Sequence, residues 1–209
     1  MRSFRLNAQT IIMQHAKDGI RLREAFFSSQ WKTLQEAAFQ TAKCLTRGGK
    51  VLLCGNGGSA ADCQHIAGEF VNRFLMDRPA LPALALTTDT SVLTAISNDF
   101  SYSQVFARQV EAFGGPEDVL FAISTSGRSE NILAALTQAR RKGLFTVSLT
   151  GEGGGAAADL SDLLLAVPSR HTPLIQEVHL ACEHLYCELV DYYLFTNAPA
   201  LREEHSYGL

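Results

Sequence analysis

The stretch Lys50-Val-Leu-Leu-Cys-Gly-Asn-Gly-Gly-Ser59, followed by Ala60-Ala-Asp-Cys-Gln-His65-Ile-Ala-Gly-Glu69, decides how this chain is read. Val51 to Cys54 is a short apolar run that breaks at once into Gly55-Asn56-Gly57-Gly58-Ser59, the pattern of a buried parallel strand ending in a glycine-rich turn. A helix is expected next. Glycines let the backbone approach a ligand closely, and the free amides at the start of that helix favour an anion, with the Ser59 hydroxyl as a further donor. His65 and Glu69, four residues apart, fall on one face of the same helix, within reach of a common ligand or metal. Taken alone, the segment also fits a plain Gly-rich turn followed by a helix with a solvated His and Glu.

Downstream the pattern repeats. Leu81 to Leu86 reads as a second strand, and Thr87-Thr88-Asp89-Thr90-Ser91 caps a helix that ends near Asn98-Asp99. A short helix is expected from Ser103 to Phe113. Asp118 to Ile123 forms the third strand and runs into Ser124-Thr125-Ser126-Gly127-Arg128-Ser129 before a helix from Ile132 to Lys142. An N-cap needs one hydroxyl, or two; Ser124, Thr125, Ser126 and Ser129 together form a nest of donors suited to phosphate. Leu144 to Leu149 is the fourth strand, Gly151 to Gly155 a flexible loop, and Leu163 to Val167 the fifth strand. Alternating strands and helices imply a parallel sheet covered on both faces, with ligands bound beyond the carboxyl ends of the strands.

Two helical segments flank this core. Residues from about Ser3 to Thr46 carry a helical apolar stripe, expected as two helices divided near Ser28-Ser29-Gln30. The first has apolar residues on more than one side and no strand to cover, which points to packing on another subunit. The last helix, Pro173 to Phe195, carries Gln176, His179 and His184; Gln176 and His184 stand about 12 Å apart along its axis. The tail from 197 onward reads as weakly ordered, leaving a single domain over 1–196.

At 209 residues, 46% of them hydrophobic, the chain is long enough for one α/β domain with a substantial core. A net charge of −3 gives no electrostatic reason to expect nucleic acid or an anionic membrane as partner. No apolar run reaches transmembrane length and the N-terminus lacks the apolar segment of a secretory signal, so a cytoplasmic protein is expected. Cys44, Cys54, Cys63, Cys182 and Cys187 lie in apolar segments without metal-finger spacing and read as reduced core thiols.

Cys54-Gly-Asn-Gly-Gly-Ser59, Ala122-Ile-Ser-Thr-Ser-Gly127 and Ile175-Gln-Glu-Val-His179, in this order, resemble the sugar isomerase (SIS) domain family, most closely its phosphoheptose isomerase branch. The resemblance implies a three-layer αβα sandwich on a five-stranded parallel sheet, assembled as a homotetramer with active sites at subunit interfaces. It implies substrate contacts from Asn56, Gly57, Gly58, Ser59, Glu69, Asn98, Asp99, Ser124, Thr125, Ser126, Ser129 and Gln176. It implies zinc held by His65, Glu69, Gln176 and His184, with Glu69 as catalytic base and His184 as its acid partner. The implied reaction is aldose–ketose isomerisation of sedoheptulose 7-phosphate to D-glycero-D-manno-heptose 7-phosphate, which feeds ADP-heptose for lipopolysaccharide core. A small-molecule sugar phosphate is then the partner, with no direct role for nucleic acid or membrane. Two other readings use the same fold: a non-catalytic relative resembling the protein that associates with the replication initiator DnaA, and a sugar-phosphate-sensing module. The complete His65, Glu69, Gln176 and His184 set favours the enzyme.

Overall fold

The computed structural model describes residues 7–202. Helix α1 (Ala8–Thr46) leads into strand β1 (Val51–Gly55) and helix α2 (Gly58–Val71). Strand β2 (Ala83–Ala85), helix α3 (Thr90–Asp99), a 3-10 turn (Tyr102–Gln104) and helix α4 (Ala107–Phe113) follow. Then come β3 (Val119–Ser124), α5 (Glu130–Lys142), β4 (Phe145–Thr150), a 3-10 turn (Gly155–Leu160), β5 (Leu163–Ala166) and α6 (Thr172–Asp191). A π-helical turn (Tyr192–Thr196) and a 3-10 turn (Ala198–Arg202) end the described chain.

All strand pairings are parallel and the order is β2-β1-β3-β4-β5, giving the expected αβα sandwich. Strand alternation divides the core in two. Val51, Leu53, Phe121 and Ile123 point to one face, where α1, α2 and α6 cover them with Phe26, Ile66, Phe70 and Tyr186. Leu52, Cys54, Leu120 and Ala122 point to the other, beneath Val105, Phe106, Ile132 and Leu136. The first layer is tied across by a buried 2.6 Å hydrogen bond between Thr41 Oγ1 and Tyr186 Oη.

The expected break at Ser28-Ser29-Gln30 is absent: α1 is one helix of 39 residues. Ser29 is accommodated because its hydroxyl donates back to the carbonyls of Ala25 and Phe26, at 2.9 and 3.1 Å, and so competes for no turn. The N-terminal half of α1 leaves Ile11, Ile12, Met13 and Ile20 exposed, whereas Phe26, Leu34, Ala37 and Ala38 are buried. The part of the expected first helix at residues 3–6 lies outside the described residues.

Strand β2 is shorter than expected because Pro82 has no N–H to give to the ladder, although its carbonyl accepts from Val51 N. The Gly151 to Gly155 segment, expected as a flexible loop, is tied under the serine-rich loop: Gly151 N donates to Thr125 O and Ala157 N to Gly127 O. Ala200 in the last 3-10 turn is buried, so that part of the expected loose tail packs on the fold; residues 203–209 lie outside the described residues. Among the described residues, no helix is long and apolar enough to cross a membrane.

Candidate active site

In the order β2-β1-β3-β4-β5 the chain leaves β1 toward one edge and returns beside it as β3, so a crevice opens beyond the carboxyl ends of β1 and β3. The two loops singled out in the sequence leave from these two ends. Gly57, at φ +58°, turns the first into α2, whose N-terminus carries no side-chain cap. Ser129 precedes α5, and there too no side chain caps the helix. First-turn amides of both helices therefore remain for an anion.

The second loop is built by a tight approach. Gly127 has φ +60°, and a Cβ there would stand 1.9 Å from the carbonyl oxygen of Gly154, so only glycine fits. The turn that results brings the Ser124 and Ser129 hydroxyls to 3.4 Å and lets Ser126 Oγ accept from Arg128 N at 3.2 Å. Ser59 is buried at the start of α2.

A reciprocal amide pair spans the crevice. Asn56 Nδ2 donates to Asn131 Oδ1 at 2.9 Å, and Asn131 Nδ2 donates to Asn56 Oδ1 at 2.8 Å. Tyr102 Oη also donates to Asn56 Oδ1, at 3.1 Å. The Asn56 side chain is thus committed to fixing the two loops relative to each other. Asn131 and Tyr102 were not among the expected site residues; a pair that bridges two strand ends leaves no periodic trace in the sequence.

Helices α2 and α6 lie side by side and bring the ionisable groups together. His65 Nε2 and His184 Nε2 are 2.9 Å apart, and Glu69 Oε1 is 3.5 Å from His65 Nε2. The Phe74 ring stacks on His184 at 5.7 Å and 19° between planes, holding the imidazole against rotation. Gln176 meets α2 nearer its N-terminus: a Cβ on Gly58 would come within 2.7 Å of Gln176 Nε2. Three of the four expected metal-site residues are therefore clustered, and the fourth sits beside the glycine-rich loop. Asn98 and Asp99 are exposed at the end of α3, where Asn98 Nδ2 donates to Asp99 Oδ1 at 2.9 Å.

The remaining candidates of α6 are buried. His179 donates from Nε2 to the Thr150 carbonyl at 3.0 Å, and burial lowers it to about 4, a neutral structural histidine. Glu183 has no solvent exposure and no hydrogen-bond partner for either oxygen. Burial, reinforced by Asp62, raises its carboxyl to about 8. All five cysteines are buried and free, and burial drives Cys63 well above the ordinary thiol range, which makes it a packing residue.

Two imidazoles and a carboxylate are the three protein ligands of a common catalytic zinc site, which suits the residue types present. At 2.9 Å one Nε2–H donates to the other ring's Nε2 lone pair, so the two nitrogens that a metal would use face each other. As they stand the side chains face one another, and no group of three or more His, Cys, Asp or Glu among the described residues surrounds a common metal position. The donors fit the ion in kind.

Comparison with known proteins agrees with this fold. The SIS domain family model matches residues 14–151. The phosphoheptose isomerase of Desulfovibrio desulfuricans is 63% identical over 195 residues, 93% of each chain. The phosphoheptose isomerase structure from Neisseria gonorrhoeae superposes with a TM-score of 0.84 at 40% identity, covering 88% of this chain and 99% of that one. The one from Francisella tularensis gives 0.86 at 38% identity, covering 88% and 98%. On this match over most of its length, the chain belongs to the SIS domain family, in its phosphoheptose isomerase branch.

Proposed function

We propose that this chain interconverts sedoheptulose 7-phosphate and D-glycero-D-manno-heptose 7-phosphate through an enediol(ate), with Glu69 as base and His184 as acid. The observation that carries the reading is the convergence of Glu69, His65 and His184 from two helices, beside two loops built to hold an anion.

Aldose–ketose isomerisation moves one proton between adjacent carbons and a second between their oxygens. Glu69 takes the proton from C1 of the ketose while His184 gives a proton to the C2 oxygen, leaving an enediol. Return of the carbon proton from Glu69 to C2 and loss of the O1 proton to His184 yields the aldose, with both groups restored. Phe74 keeps His184 oriented for this exchange. Ser124, Thr125, Ser126 and Ser129, with the amides of Gly57, Gly58 and Ser59, hold the phosphate and fix the reacting carbons in register. Gln176, Asn98 and Asp99 contact the sugar hydroxyls in this reading.

His65, Glu69 and His184, with Gln176 as the fourth ligand, would hold zinc. A bound zinc supplies an electrophile for the charge that develops on the enediolate oxygens. The exposed Ile11, Ile12, Met13 and Ile20 of α1 support assembly through that helix, in a homotetramer with active sites at subunit interfaces. A soluble metabolic enzyme of the cytoplasm, acting on a small sugar phosphate, is the setting that follows.

Glu69→Gln tests the assignment. Turnover is expected to fall by about 10²- to 10⁴-fold, the usual contribution of a positioned general base, with the fold intact. Near-normal turnover would remove Glu69 from that role.

A further inference from the structure

We propose that Arg78 and Asp191 form a positioning clasp that sets α2 against α6 and so fixes the spacing of the His65–Glu69–His184 cluster. This rests on the isomerase reading of that cluster.

The two helices meet at three levels. Gln176 packs on Gly58 at the start of α2, His184 meets His65 at 2.9 Å in the middle, and Arg78 joins the far ends. Arg78 lies beyond α2, yet its guanidinium turns back onto it. Nη2 donates to the Glu69 carbonyl at 2.9 Å and Nη1 to the Phe70 carbonyl at 2.9 Å, while Nε donates to Asp191 Oδ1 on α6 at 2.7 Å. Nη1 also reaches the Pro79 carbonyl at 3.1 Å, so the loop itself is held in place. Glu69 and Phe70 belong to the last turn of α2, where their own carbonyls lack helical partners, and that turn contains no basic residue of its own. A cation from outside fills this place and complements the negative end of the helix dipole.

One planar guanidinium therefore binds the backbone of the proposed base and the helix that carries the proposed acid. Its side chain is 2% exposed and that of Asp191 7%, so the pair is shielded from solvent and from salt. Lysine offers a point charge in place of this fork and cannot reproduce all four contacts. The consequence for chemistry is geometric. Releasing the clasp frees the last turn of α2 to shift against α6, and with it the distance from Glu69 to His184.

Removing Arg78 alone would strand a buried carboxylate and destabilise the fold. The test therefore uses Arg78→Leu/Asp191→Leu, which exchanges the pair for apolar contact, alongside Arg78→Lys, which keeps the ion pair and loses the fork. Each is assayed for folding by melting temperature, for zinc affinity by competition with a chelating dye, and for kcat and KM with sedoheptulose 7-phosphate. Both variants are expected to fold, with kcat and zinc affinity each lowered about 10- to 100-fold in the double variant and KM changed little, the usual size of effects from groups that orient metal ligands. Wild-type kcat and zinc affinity in either folded variant would overturn the clasp. A double variant that does not fold leaves the decision to Arg78→Lys, where a loss of kcat at an unchanged melting temperature supports it. Zinc affinity needs no turnover, so a wild-type protein inactive on the sugar counts against the isomerase reading while the clasp is still decided.

Discussion

Glu69 and Glu183 show how differently one residue type behaves according to what surrounds it. Glu69 is partly exposed and stands 3.5 Å from His65 Nε2, where it is proposed to act as the base. Glu183 is sealed between α2 and α6, and burial sets an opposed pair of pH effects together with His179. For His179 the folded value near 4 lies below the ordinary 6.5, so the unfolded chain takes up a proton first on acidification. Its contribution to stability is complete above 6.5 and is lost as pH falls toward 4. For Glu183 the folded value near 8 lies above the ordinary 4.5, so the unfolded chain releases its proton first; that contribution is complete below 4.5 and is lost as pH rises toward 8. Between pH 6.5 and 8 only Glu183 acts, at a slope of up to about 1.4 kcal/mol per pH unit. Metal-free wild-type protein is expected to lose melting temperature across that window and Glu183→Gln to hold it. Parallel curves for the two would show that Glu183 titrates normally. The sequence shows Glu183 as one more polar residue on an amphipathic helix; its burial is a property of how α6 packs on α2.

At the scale of elements, the glycine-rich and serine-rich loops proposed to hold the phosphate are joined by the Asn56–Asn131 amide pair. Asn131→Ala leaves the Asn56 amide without its buried partner, at a cost of about 1–3 kcal/mol. The expected result is a lower melting temperature and a KM for sugar phosphate raised more than kcat is lowered. An unchanged KM would mean that the loops hold their places without the pair. The strands and most helices were legible in sequence because buried parallel strands are continuous apolar runs between glycine and hydroxyl-rich turns. The serine loop was legible because its hydroxyls outnumber what a cap requires. What was not legible depended on tertiary partners: the Ser29 hydroxyl that bonds back and keeps α1 continuous, the Gly154 carbonyl beneath Gly127, and Arg78 reaching across from a loop to α6.

At the scale of the molecule, the strand order places the glycine-rich and serine-rich loops at one switch point, and α2 extends from that point toward the ionisable cluster. The exposed apolar half of α1 belongs to this scale as well, since nothing among the described residues covers it. Ile12→Asp/Ile20→Asp is expected to reduce the proposed tetramer to smaller species in light scattering, with activity lost in step if the site is completed at an interface. A variant that remains tetrameric would place the assembly surface elsewhere. The most direct measurement of the central claim is turnover of sedoheptulose 7-phosphate by the purified protein, stripped of metal by chelation and then reconstituted with zinc. Formation of heptose 7-phosphate that disappears on chelation and returns with zinc is the predicted result; a folded, zinc-loaded protein that leaves the sugar unchanged would contradict it and favour the non-catalytic binding reading.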